Sequence, residues 1–185
     1  VQPTVTVKHG GQKNIAVLRA ALRSLQKSHV YVGIPTTTAM DRKRQVMGVA
    51  VTSTGKRRVR LEKMAVDSGI NNAELLYIHT HGSPRKHIPA RPVIEAAISE
   101  TENKKKIAQE LSKVAQLALQ GKPQEAAKQL DKAGQLGENV SRAWFTNPKN
   151  GWAPNAPSTI RRKGSSRPLI DTGSLRKAIT HVVSK

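Results

Sequence analysis

The residues best placed to do chemistry are His79-Thr80-His81, with His87 a short distance beyond. On a strand or an extended loop alternate side chains share a face, so two imidazoles separated by one residue point toward a common metal ion. A His-x-His metalloprotease of the deubiquitinase type needs Ser and Asp at fixed later positions, and those places hold Pro89 and Pro92. A metallo-β-lactamase pattern needs Asp and His where Ser83 and Pro84 stand. Neither pattern is met, and the segment carries no paired carboxylate. The expectation is therefore no metal, no cofactor and no catalytic residue, with His79 and His81 serving as loop histidines.

Other reaction types find equally little. Acid–base catalysis requires groups whose pKa values burial drives apart. Glu62, Glu95, Glu102 and Glu110 read instead as charges on exposed faces. Ser165-Ser166 lacks the surroundings of a nucleophile elbow, and Gly10-Gly11 is not followed by the Lys-Ser/Thr of a phosphate-binding loop. The chain contains no cysteine, which removes disulfides, thiolate nucleophiles and cysteine-bound metals together.

Charge is the loudest signal. Lys and Arg number 32 against 12 Asp and Glu, a formal net charge of +20. A polyanionic or acidic partner is implied, because such a field repels itself unless phosphates or acidic surfaces lie nearby. The clusters Arg42-Lys43-Arg44, Lys56-Arg57-Arg58 with Arg60, Lys104–Lys106 and Arg161–Lys163 are each able to track phosphates or sit as solvated faces. Aromatic residues make up only 3% of the chain, so base-stacking platforms are scarce and sequence-specific recognition is not expected. Non-sequence-specific DNA binding stays open as an alternative function, and a His-dependent metal hydrolase as a weaker one.

The elements that must position these residues follow from periodicity. At 185 residues the chain has room for a single core-bearing domain, spanning 1–185, with appendages. Thr4 to Lys8 alternates as a half-buried strand does, and Leu18, Ala21, Leu22 and Leu25 give an amphipathic helix over about 13–27. His29 to Ile34 reads as a second strand closed by Pro35. The stretch 36–72 reads as a basic hairpin or long loop with a Thr54-Gly55 turn. Ala73 to Ile78 fits a short helix or a strand. Pro92 is placed to open a long helix running to Leu119, and Pro123 a second one reaching Trp144, so that 92–145 forms a helical hairpin weakened by Gly134 and Gly137. Residues 146–170 have the composition of an extended arm. Asp171-Thr172-Gly173-Ser174 then starts a short helix or turn that leads to a β-like His181-Val182-Val183. The fold class expected is α+β: a small, mostly antiparallel sheet packed against helices. No run approaches the roughly 20 apolar residues of a membrane span. Val1–Gly11 lacks the apolar centre of a secretory signal, and a soluble protein is expected.

Three segments remain without a chemical explanation: Asn72 to Pro84, Ile88-Pro89-Ala90-Arg91-Pro92, and Gly151-Trp152-Ala153-Pro154 continuing to Pro168-Leu169-Ile170-Asp171-Thr172-Gly173-Ser174-Leu175. In that order they resemble the phage virion-morphogenesis and minor-tail-protein-Z type families, whose members act in tail completion. Tyr77, His79 and Gly82 match the family's Tyr-Ile-His-Glu-Phe-Gly-like segment, while Thr80 and His81 stand where members carry Glu and Phe. The likeness excludes 36–70. It implies a non-enzymatic structural protein of the virion neck, made in the cytoplasm of a bacterial host. It also implies a homo-oligomeric ring, a hexamer, between the head–tail connector and the tail terminator or tail tube proteins, with genomic DNA passing through the lumen. On this reading Tyr77, His79, Gly82, Pro89, Arg91, Pro92, Trp152, Asp171, Thr172, Gly173 and Leu175 are scaffold or interface residues. Arg42 to Arg60 becomes the candidate lumen or inter-subunit contact. Arg91 is open to two roles, a surface charge or one half of an ion pair.

Overall fold

A computed structural model of the chain describes residues 11–35, 41–50 and 60–184. In chain order these form α1 (Gly11–Lys27), β1 (His29–Gly33), β2 (Asp41–Ala50), β3 (Arg60–Asn71), α2 (Asn72–His81), α3 (Ile94–Ser99), α4 (Thr101–Leu119), α5 (Pro123–Trp144), α6 (Pro157–Lys163), α7 (Ser174–Ala178) and β4 (Thr180–Ser184). The fold is α+β, as the residue patterns indicated. The expected strand at Thr4–Lys8, the Thr54-Gly55 turn and Lys56-Arg57-Arg58 lie outside the described residues.

The chain divides into two compact units that interleave in sequence. The first contains α1, β1, α3, α4, α5 and β4. Its centre is the antiparallel α4/α5 hairpin, where Val114, Ala118, Ala126 and Leu130 are buried together and Ala21, Leu25, Val30 and Val183 close over them. Strands β1 and β4 pair antiparallel with Tyr31 opposite Val182, and α5 packs on one face of that pair. The long helix expected from Pro92 is two helices. Glu100 leaves helical geometry at ψ 134°, and its carboxylate caps α4 by accepting from the Glu102 and Asn103 amides at 3.0 Å each. Asn103 in turn donates to the Ala97 carbonyl across the break, at 2.9 Å. Glu110 is not a simple surface charge, since it accepts from both Lys113 and Gln129 and so ties α4 to α5.

Gly134 and Gly137 are points of close approach in this unit. A Cβ at Gly134 would come within 2.5 Å of the His181 ring and 3.0 Å of Val30, and one at Gly137 within 2.9 Å of Val32. The propensity lost in the middle of α5 is what lets a sheet lie directly on the helix backbone.

The second unit contains β2, β3, α2, α6 and α7 with the segments 84–93 and 145–156. Strands β2 and β3 pair antiparallel from Ala50↔Arg60 to Asp41↔Asn71, with an irregularity between Asp41 and Lys43. They form a ladder separate from β1/β4, so the segments expected to share one sheet are divided between two. α2 resolves the helix-or-strand choice at 73–78, because Asn71 and Glu74 make a reciprocal capping box that starts a helix. The 146–170 arm combines extended backbone with a 3-10 turn at Pro148–Asn150 and with α6, which begins on Pro157 and ends at left-handed Gly164. Among the described residues no helix is long and apolar enough to cross a membrane.

Candidate functional site

His79 and His81 sit in the last turn of α2. Two residues apart on a helix means about 200° of rotation, so the two rings leave opposite sides of the axis. The shared metal face required an extended chain, and the capping box removes that option. His81 Nδ1 lies 2.9 Å from the Tyr77 carbonyl, which fixes that nitrogen as the donor, and its ring meets that of Tyr77 at 4.3 Å, tilted by 38°. Among the described residues no group of three or more His, Cys, Asp or Glu side chains is placed to hold a metal ion.

What the second unit does bring together is the set of motif segments. Arg91 is 6% exposed. Its backbone N–H donates to the His79 carbonyl at 2.6 Å, which fastens the Ile88–Pro92 turn to the end of α2. Its guanidinium reaches across to the arm: Nε and Nη2 donate to the Ala153 carbonyl at 3.1 and 2.8 Å, and Nη2 donates to the Pro154 carbonyl at 3.1 Å. Among the described residues, Arg91 is therefore neither a surface charge nor half of an ion pair, because the partners its side chain meets are carbonyl oxygens. Burial pushes its pKa down from the ordinary arginine value.

A second fastening runs the other way. Trp152 Nε1 donates to the Pro92 carbonyl at 3.1 Å, and the indole meets Phe145 edge to face at 5.9 Å. Pro92 therefore supplies an acceptor to the arm and does not open a helix, which begins at Ile94. The Asn150 side chain accepts from the Trp152 amide at 3.2 Å, setting the angle at which the arm arrives.

Gly82 makes the tight turn between these pieces possible. Its φ of 73° and ψ of −177° belong to backbone that side chains resist, and a Cβ there would stand 2.8 Å from both the Ala90 nitrogen and the Ile88 oxygen. Ser83 and Ile88 exchange two backbone hydrogen bonds at 2.8 and 2.9 Å, closing a small loop around Pro84–Lys86. At the other end of the motif set, Gly173 at φ 77° precedes α7, the Thr172 hydroxyl accepts from the Ser174 amide, and Leu175 is buried while α7 packs on α2. Asp171 and Pro89 are exposed.

His79, Gly82, Arg91, Pro92 and Trp152 thus form one junction, with Leu175 on the neighbouring face of α2. Tyr77 is 67% exposed and lines a shallow apolar groove with Ile70, Ala73, Glu74 and Ile78. Arg42, Lys43 and Arg44 lie in β2 and Arg60 opens β3, in a different part of this unit's chain path. The acceptors at Ala153 and Pro154 have no side-chain signature, which is why residue types alone do not show them.

The first unit holds a cluster that residue types alone do not single out. His181 Nδ1 stands 2.8 Å from Glu138 Oε2 and its Nε2 3.3 Å from Asp131 Oδ1. Both partners are carboxylates, so both ring nitrogens donate when the ring is protonated, and the imidazolium is favoured. The hydrogen bond to Glu138, helped by that to Asp131, raises the His181 pKa above its ordinary value against the opposing effect of burial. Arg142 completes the group at 2.6 Å from Glu138 Oε1. The available signal was the spacing of Asp131 and Glu138, seven residues apart and so on one face of α5.

Comparison with protein-family models, with curated proteins and with solved structures finds no match to this chain.

Proposed function

We propose that the chain is a non-enzymatic structural subunit of a tailed-phage particle, acting in tail completion at the neck. It works by fitting surfaces to copies of itself, in a hexameric ring, and to the connector and tail proteins on either side. The observation that carries this reading is the Arg91 junction. The segments that resemble the tail-completion families meet there, fastened by guanidinium-to-carbonyl and indole-to-carbonyl hydrogen bonds. Such bonds position backbone, which is the work of a scaffold residue. A net charge of +20 supports a partner rich in phosphate or carboxylate. Exposed Tyr77 beside its apolar groove supplies an anchor of the kind that subunit contacts use.

The test is electron microscopy of particles assembled without the chain. Heads and tails left unjoined, or tails of defective termination, are the expected result. Normal infectious particles would refute the assignment, as would turnover of a substrate that is lost on His79→Ala or His81→Ala.

A further inference from the structure

Among the described residues β4 pairs with β1 alone. An open edge presents unpaired amide and carbonyl groups to whatever extended chain approaches. Natural edges are commonly blunted by lysine, proline or inward-pointing charge. β4 reads Thr-His-Val-Val-Ser, and its single titratable side chain, His181, is turned to Glu138 and Asp131. The strand carries no lysine or proline, and its one inward charge is matched by the two carboxylates it meets.

Space and chemistry lie beside that edge. A groove of about 800 Å³ runs along α5 next to β4, lined by Ala127, Lys128, Asp131, Lys132, Gln135 and Val183. Sheet strands sit about 4.8 Å apart, so a chain pairing with β4 would lie in this groove, over the side of α5 that carries Lys128 and Lys132. These lysines are exposed, whereas Asp131 between them is directed at His181. On the opposite sheet face Val182 and Tyr31 are cross-strand partners, 47% and 60% exposed. An added strand would therefore have one row of side chains facing two ammonium groups and the other row continuing the Tyr31–Val182 apolar pair.

We propose that the edge of β4 away from β1 is a strand-addition site for an extended segment of another protein in which acidic and apolar residues alternate. The acidic residues face Lys128 and Lys132, and the apolar residues lie beside Val182. Main-chain hydrogen bonds to β4 supply the attachment, and the two lysines select for charge. A second copy of this chain is the poorer occupant because its net charge of +20 opposes the same lysines. The site does not depend on the virion reading, since it is defined by edge, groove and charge.

The test is titration calorimetry of the full chain with three synthetic peptides: one alternating glutamate and valine, the same peptide N-methylated at alternate amides, and one alternating lysine and valine. The glutamate peptide binds saturably at one site, and methylating the amides that face β4 weakens it by about tenfold or more. The Lys128→Glu/Lys132→Glu double variant weakens the glutamate peptide by about tenfold and now prefers the lysine peptide. Equal binding of the methylated peptide would reduce the effect to charge alone and overturn the proposal. So would self-association of the chain that the peptide reverses, which would assign the edge to a second copy. A full chain that binds none of the peptides has this edge already covered, by its own residues or otherwise, and that too overturns it.

Discussion

Removing the Arg91 guanidinium isolates the contribution of the junction between the Ile88–Pro92 turn and the 146–170 arm. Arg91 makes three hydrogen bonds to two carbonyls from a side chain that is 6% exposed. A bond from a charged donor contributes about 1.5–3 kcal/mol, but burial of the cation offsets part of the sum. Ala153 and Pro154 are themselves exposed, so water replaces the lost donor at their oxygens and the penalty falls toward the low end. Arg91→Ala is therefore expected to cost about 2–4 kcal/mol, including the packing of the lost side-chain stem. Arg91→Lys keeps the charge but lacks the planar fork, and is expected to cost about 1–2 kcal/mol. The loss is local. Opening of the arm should become about 30-fold more frequent for each 2 kcal/mol, measured by native-state proteolysis of 146–170 and by amide exchange at Trp152. An Arg91→Met variant whose arm is cut no faster than the parent would refute the reasoning. It would mean that the cost of burying the cation cancels everything its bonds provide.

Two further outcomes follow from the same structure. Because the His181 pKa is raised in the fold, its stabilising contribution is complete below the unfolded value near 6.5 and is lost as pH rises through the raised folded value. Thermal stability should accordingly fall over that window, and His181→Gln should flatten the profile; a parent chain with no such fall would contradict the Glu138–Asp131 clasp. Gly82→Ala combines disallowed backbone with 2.8 Å contacts to backbone atoms of Ile88 and Ala90, and should cost about 3 kcal/mol or more by urea unfolding. Near-neutral behaviour there would show that the turn shifts freely.

Residue patterns carried the periodic elements. α1, β1, α5 and β4 are each written in local runs whose apolar spacing has one physical reading, and Pro123 and Gly173 mark starts that the structure keeps. The composition likewise fixes the large positive charge and the absence of thiol chemistry. Boundaries set by side chain-to-backbone hydrogen bonds were harder. The Asn71–Glu74 capping box was present in the sequence, but its weight against the β-rich alternative at 73–78 depends on whether both bonds close. The break at Glu100 is similar, because a glutamate that caps looks the same in sequence as a glutamate in mid-helix.

Tertiary structure alone decided the rest. Arg91 has backbone carbonyls for partners 62 and 63 residues away, and a carbonyl has no residue type to recognise. The two glycines of α5 read as weaknesses until a sheet is laid on them, and His181 reads as an ordinary strand residue until α5 presents two carboxylates to it. Local sequence determines which torsions are cheap. Which distant atoms then come within hydrogen-bonding reach is settled only when the elements pack, because packing minimises a sum over contacts that no single segment contains.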